Sequence, residues 1–234
     1  MTSPDSQAPF HIALGVCGGI AAYKAVEVLR GLQRAGCVVR VAMTKRACEF
    51  VQPLTFRALS GSHVVVDDYA PDNPDPIAHI TFSQTTHLLI VAPATANIIG
   101  KFANGIADDF LTSLYLATRA PVLMAPAMNT NMLEHDAVRR NLQILGARGV
   151  RFVEPGAGYL ACGWIGKGRL AEPEAIAEAA ERVLAPAGSL LGRLVIVTAR
   201  LTMYSDRPAR SAQRRSGQTA SQYAKATLRK CTSW

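Results

Sequence analysis

Cys162, in the stretch YLACGWIGKGRLAEP (159 to 173), is a thiol on a segment that also carries Gly163, Gly166 and Gly168 and has no strand or helix periodicity. A thiol on a segment this bendable raises the question of a reactive role. The bland alternative is an inert loop cysteine. His79, in PIAHITFSQ, offers a second chemistry, because a neutral imidazole can act as a base near pH 7. The other histidines begin a strand (His11, His87), border one (His63) or lie within a helical stretch (His135), where structural roles suffice.

Three further stretches place small or polar residues between a strand and a helix. GVCGGIAAYK has Gly15, Gly18 and Gly19 around Cys17, a turn that can aim backbone N–H groups and a helix N-terminus at a phosphate. Its spacing is neither GxGxxG nor GxxxxGK[ST], so a standard dinucleotide or P-loop reading fails. PATANIIG sets Ala94, Thr95, Ala96 and Asn97 at a helix start, where the polar side chains can cap the helix or contact a ligand. APAMNTNML does the same with Met128, Asn129, Thr130 and Asn131, and Thr44 in MTKRA adds a hydroxyl at another strand end.

The elements that must hold these loops follow from apolar patterning. FHIALGVC (10 to 17), VVRVAM (38 to 43), HVVVDD (63 to 68), HLLIVAP (87 to 93) and PVLMAP (121 to 126) read as strands. Helices are expected at 18 to 36, about 95 to 118, 131 to 146 and 173 to 184, the last with Pro173 at its first turn. Strands alternating with helices mean a parallel, doubly wound α/β sheet. Its ligands bind beyond the strand C-termini, so the polar loops fall on one rim.

The 234 residues, 49% of them hydrophobic, suffice for one domain at 10 to 184, after an extension (1 to 9) and before a linker at 185 to 192. The formal charge of +8 resides in the tail. Residues 1 to 191 carry 16 basic and 16 acidic side chains, whereas residues 192 to 234 carry nine basic ones against Asp206 alone. The main domain is therefore electroneutral and no nucleic-acid role is expected of it. No apolar run of membrane-spanning length and no signal-peptide pattern appears, so a cytoplasmic protein without membrane association is expected. Five scattered cysteines without a CxxC pair indicate free thiols and no metal site.

GGIAAYK, PATAN with its downstream GIADD, PAMNTNM and LACG stand in the order and approximate spacing of the flavin-dependent cysteine decarboxylases. Over residues 10 to 184 the chain resembles the decarboxylase half of the bacterial bifunctional phosphopantothenoylcysteine decarboxylase/synthetases. The resemblance implies a three-layer flavodoxin-like (Rossmann-like) fold, FMN as cofactor, and homotrimers or dodecamers built from trimers. It implies that the loop from Gly15 to Gly19, with Cys17 where a serine or threonine is usual, and Thr44 hold the FMN phosphate region. Ala94 to Asn97 would lie against the cofactor. His79 matches the active-site histidine, Asn129 beside Met128 the substrate-binding asparagine, and Cys162 the proton donor. Leu133 stands where the family motif usually has tryptophan.

The implied reaction is decarboxylation of 4'-phosphopantothenoylcysteine to 4'-phosphopantetheine in coenzyme A biosynthesis. The substrate thiol is oxidised toward a thioaldehyde, carbon dioxide leaves, and the enethiolate is reduced again with a proton from Cys162. Alternatives are a relative that acts on a peptide C-terminal cysteine or transfers a prenyl group to flavin, and a flavin-free regulatory or scaffolding homologue. The basic tail (193 to 234) is expected to be an incomplete remnant of a synthetase domain, without synthetase activity.

Overall fold

Successive residues of a strand face opposite ways, so a strand that is apolar throughout needs cover on both sides. β1 (His11–Val16) turns Ile12, Leu14 and Val16 into one apolar layer and Ala13 into the other. β3 (Leu88–Ala94) divides likewise, with Leu88, Ile90 and Ala92 on one face and Leu89, Val91 and Ala94 on the other. Together with β2 (Val38–Met43), β4 (Val122–Pro126) and β5 (Arg151–Phe152) they make a five-stranded parallel sheet in the order β2-β1-β3-β4-β5. This is the doubly wound, flavodoxin-like order.

The structure, a computed structural model, describes residues 8–71, 73–75, 77–159 and 163–185. All of them belong to the first of two units into which the chain divides, Met1–Ser189 and Leu190–Trp234. The expectations for Cys162, for most of the N-terminal extension and for the linker and tail from 186 onward lie outside the described residues.

One face of the sheet is covered by α1 (Ala25–Arg34), α2 (Pro53–Ser60) and α8 (Pro173–Leu184), through Val28, Leu29, Leu32, Phe56, Ile176 and Ala180. The other is covered by α3 (Ala78–Thr85), α4 (Ala96–Asn104), α5 (Phe110–Ala117) and α7 (Asp136–Ala147), through Phe82, Ile98, Phe102, Phe110, Leu114 and Leu145. Each of these side chains is buried, and full burial of a valine, leucine, isoleucine or phenylalanine contributes about 1.5 to 3 kcal/mol. The result is the expected three-layer α/β architecture.

Several elements differ from the patterning. Residues 63 to 68 form no sheet strand; a single parallel bridge joins Ala42 and Val65, and the chain then turns away at the two aspartates. The helix expected from 95 to 118 breaks at Gly105, whose φ of +68° ends α4, and restarts where Asp109 caps α5. The one expected from 131 to 146 is two, α6 (Thr130–Glu134) and α7, because His135 is extended and accepts the Ala137 N–H as a cap. The helix after β1 opens with a tight 3-10 turn, Ile20–Lys24. The glycine-rich flap contains an antiparallel hairpin of β6 (Gly156–Tyr159) and β7 (Ile165–Arg169). No helix among the described residues is long and apolar enough to cross a membrane.

Candidate functional site

Because the chain leaves β1 toward β2 on one side and reaches β3 on the other, a crevice opens at the C-terminal ends of β1 and β3. It is a cavity of about 1130 Å³, large enough for a bulky cofactor together with a substrate. Four loops that follow strands build much of it, and residues 66–67, 108–110 and the hairpin complete the wall.

The first is the glycine turn after β1, from which Cys17, Gly18 and Gly19 line the wall. A Cβ on Gly18 would come within 2.7 Å of the main-chain carbon of Arg46, so only glycine lets this turn touch the loop after β2. Gly19 leaves an open cradle, its nearest neighbour being the Thr95 methyl, 3.8 Å from where a Cβ would stand. Burial pushes the Cys17 thiol up to about 12, opposed only in part by a backbone hydrogen bond at Thr95. The thiol is therefore neutral at physiological pH.

After β2, the Thr44 N–H donates to Val16 O at 3.0 Å and its hydroxyl accepts the Ala47 N–H at 3.2 Å, which fixes the Thr44 to Arg46 rim. After β3, Thr95 caps α4 by accepting the Ile98 N–H at 3.4 Å, and Ala96 and Asn97 line the wall beside it. The fourth loop follows β4. Its Ala127 N–H donates to Ala94 O at 3.0 Å and its Met128 N–H to Gly168 O at 3.0 Å, while Asn129 accepts the Asn131 N–H at 2.8 Å and so caps α6. The Thr130 hydroxyl donates to Lys167 O at 2.8 Å. The hairpin strand β7 is thus laid along Met128 to Thr130, with both Met128 and Asn129 on the cavity wall.

Thus nine of the residues singled out in the sequence share this cavity, from Cys17, Gly18 and Gly19 through Thr44, Thr95, Ala96 and Asn97 to Met128 and Asn129. Gly15 and Ala94 do not line it. Gly15 lies inside β1 under Leu111, whose methyl would sit 2.6 Å from a Cβ there, and Ala94 is wholly buried in β3. Their observed role is to let the strands and α5 pack close behind the loops. His79 also lies off the cavity wall. It stands in the first turn of α3, a quarter of its side chain exposed, with Nδ1 2.5 Å from Oδ2 of Asp68.

Among the described residues, five basic side chains reach the rim, each paired with a carboxylate, Arg46 with Glu49 at 2.7 Å and Arg169 with Glu172 at 3.5 Å among them. Lys24, Lys45, Arg46, Lys101 and Arg169 reach the wall, against Asp67, Asp108 and Asp109. Lys24 is held by Glu172 at 2.9 Å, and Lys45 by Asp67 at 3.0 Å. Lys101 bonds to Asp108 at 2.7 Å and lies 3.5 Å from Asp109. Burial alone would pull its ammonium pKa down, but the two carboxylates outweigh it and the net shift is upward. Lys101 stays charged. This triad was not foreseen as a unit, although GIADD supplied both its acids. The Asp68 partner of His79 and the Gly168 contact also escaped, because both join residues that no periodicity relates.

A doubly wound sheet with a glycine-lined and hydroxyl-lined crevice at its switch point is an α/β protein with its ligand site beyond the strand C-termini. The chain belongs to the Flavoprotein family, which matches residues 1–184. It is 51% identical over 202 residues to the coenzyme A biosynthesis bifunctional protein CoaBC of Bacillus subtilis (strain 168), covering 86% of this chain and 50% of the relative. The chain spans about half the length of the curated relatives it matches. Among solved structures it is similar to a cysteine-to-serine mutant of PPC decarboxylase complexed with pantothenoylaminoethenethiol, with TM-score 0.67 and 28% identity over 74% of this chain and 97% of that one. It is also similar to the FMN-dependent cysteine decarboxylase SpaF, with TM-score 0.65 and 33% identity over 76% and 99%.

Proposed function

We propose that this chain is an FMN-dependent decarboxylase that converts 4'-phosphopantothenoylcysteine to 4'-phosphopantetheine in coenzyme A biosynthesis. The observation that carries the reading is the meeting, around one crevice, of the glycine turn after β1, the Thr95 cap after β3 and Asn129 after β4. CoaBC at 51% identity and the PPC decarboxylase fold support it.

The residues present fit FMN. Gly19 faces an open cradle with only the Thr95 methyl near it, Thr44 and Thr95 bring hydroxyls to the same wall, and the exposed Ile20, Met132 and Tyr159 give an amphipathic ring an apolar resting surface. Gly18, Gly19, Thr44 and the Thr95 to Asn97 turn would hold it. When bound, the flavin supplies a two-electron couple for the substrate thiol. The chain's own residues bind, orient and move protons. Asn129 commits its oxygen to capping α6, so it meets a substrate carboxylate through its amide N–H donors. That contact orients the carboxylate for loss as carbon dioxide. The flap hairpin covers Met128 to Thr130 and excludes water, and Cys162 donates the final proton.

We also read the working form as a homo-oligomer, a trimer or a dodecamer of trimers, in the cytoplasm. Two features support assembly: His79 lies off the cavity of its own protomer, and Ile20, Tyr23 and Met132 stand exposed at the rim.

The test is mass spectrometry of the product when purified protein meets phosphopantothenoylcysteine. Wild type should yield phosphopantetheine, and Cys162→Ser a product two hydrogens lighter. Unchanged substrate with FMN bound refutes the substrate; a colourless protein that leaves it unchanged refutes the enzyme.

A further inference from the structure

Two adjacent carboxylates leave the end of the Val65 bridge in opposite directions. Asp67 stays at the surface, pairs with Lys45 and lines the cavity. Asp68 turns inward, is 8% exposed, and gives Oδ2 to His79 Nδ1 at 2.5 Å. Its other oxygen, Oδ1, is buried with no hydrogen-bond partner among the described residues. A buried carboxylate left half unsatisfied is costly, and a pair kept only for packing is readily replaced by apolar residues. Retaining it needs a reason.

The segment that delivers Asp68 is built from polar contacts. The Val65 N–H donates to Val41 O at 3.1 Å and the Met43 N–H to Val65 O at 2.9 Å, which fixes where the chain leaves β2. Asn73 Nδ2 donates to Asp68 O at 2.8 Å, Asn73 Oδ1 accepts the Asp75 N–H at 3.2 Å, and Asp75 accepts the Ile77 N–H at 3.0 Å just before α3 begins. Phe82, one turn beyond His79, is buried against Phe110 and lies under the Arg40 guanidinium, so α3 is anchored as well. Both ends of the Asp68 and His79 pair are fixed.

We propose that Asp68 is a positioning residue for the reaction: it holds His79 with the proton on Nδ1, so that Nε2 is the ring nitrogen that accepts a proton. A buried anion admits a donor and not a lone pair, and the Nδ1 proton is the one the ring can offer it. The same contact stabilises the imidazolium formed when Nε2 takes a proton, as an aspartate does for a general-base histidine elsewhere. The inference rests on the reading of His79 as the base in the proposed decarboxylation.

The experiment uses the FMN-loaded enzyme labelled with 15N-histidine, at about pH 8.5, where an unperturbed imidazole is neutral. The His79 ring nitrogens, assigned by their loss in His79→Asn, should report a protonated Nδ1 and a bare Nε2. Asp68→Asn should give a mixed or reversed tautomer and lower kcat about 100-fold. Its KM, FMN content and unfolding temperature should stay near wild type, and Asp68→Glu should restore part of kcat. A bare Nδ1 in wild type overturns the proposal even if Asp68→Asn does not fold. Wild-type turnover by Asp68→Asn, with His79→Asn inactive, overturns it while leaving the base intact. Wild-type turnover by His79→Asn removes the base, and the proposal with it.

Discussion

Gly168→Ala should separate the flap from the Asn129 loop without touching either core. Gly168 has φ +138° and its carbonyl accepts the Met128 N–H at 3.0 Å. A Cβ there would run into the Met128 carbonyl oxygen, and would lie 3.3 Å from the Met128 carbonyl carbon and 3.6 Å from that of Asn129. These are backbone atoms, so no rotamer change relieves the clash. An alanine at this φ costs about 1 to 3 kcal/mol, and losing the Met128 to Gly168 hydrogen bond costs about 1 kcal/mol more. The sum, about 2 to 4 kcal/mol, falls on the docking of β7 and corresponds to roughly 30- to 1000-fold in the docked fraction. kcat/KM for phosphopantothenoylcysteine should drop by that factor, while FMN absorbance and unfolding temperature change little. Gly163→Ala is the control. Its φ is +86°, but its nearest neighbour is the Tyr159 hydroxyl at 3.8 Å, so it carries backbone strain without the collision. If Gly168→Ala turns over within about threefold of Gly163→Ala, flap docking through Gly168 is not what activity depends on.

Asn129→Asp should abolish turnover with FMN retained, because aspartate caps α6 as well as asparagine does but presents a negative charge to the substrate carboxylate; activity above a tenth of wild type, measured by carbon dioxide release, contradicts the assignment. Cys17 should resist alkylation in the folded protein, and its titration fixes a sign. Burial raises the thiol from 9.0 to about 12, so its contribution is complete below about pH 9 and is lost as pH climbs through 12, by about 4 kcal/mol at most. Denaturant unfolding against pH should show a shallower alkaline decline in Cys17→Ala, and an unchanged slope would refute the burial argument.

Four of the five sheet strands were legible from their apolar runs, which a two-sided core satisfies, whereas the two-residue β5 gave no such signal. The 63 to 68 segment carried the same apolar signal and yet made one bridge. Val64 and Val65 bury, but Asp67 and Asp68 are recruited by Lys45 and His79 and the chain leaves the sheet. α2 and α3 were not anticipated, and the expected helices were legible in extent and not in continuity. The breaks at Gly105 and His135 are each decided by one residue's backbone geometry inside an otherwise helical pattern. Around the site, Thr95 and Asn129 announced themselves as caps at strand ends, and the structure uses both as caps on the cavity wall.

What spacing could not disclose is contact between distant segments, and that is where the cavity is made. Gly18 is needed because Arg46 passes over it, and Gly168 because Met128 lies against it. Neither partner is near its glycine in sequence, so each glycine read alone is a flexible turn. The same limit separates Gly15 and Gly18 from Gly19. Within one motif the first two are closed off by Leu111 and Arg46 and work for packing, while Gly19 faces an open cradle with only the Thr95 methyl near it. A motif therefore carries two loads here, and only one of them faces the ligand. Substituting Gly15 acts through the seat of α5 on β1 and substituting Gly18 through the loop after β2, whereas substituting Gly19 acts on the cofactor cradle itself.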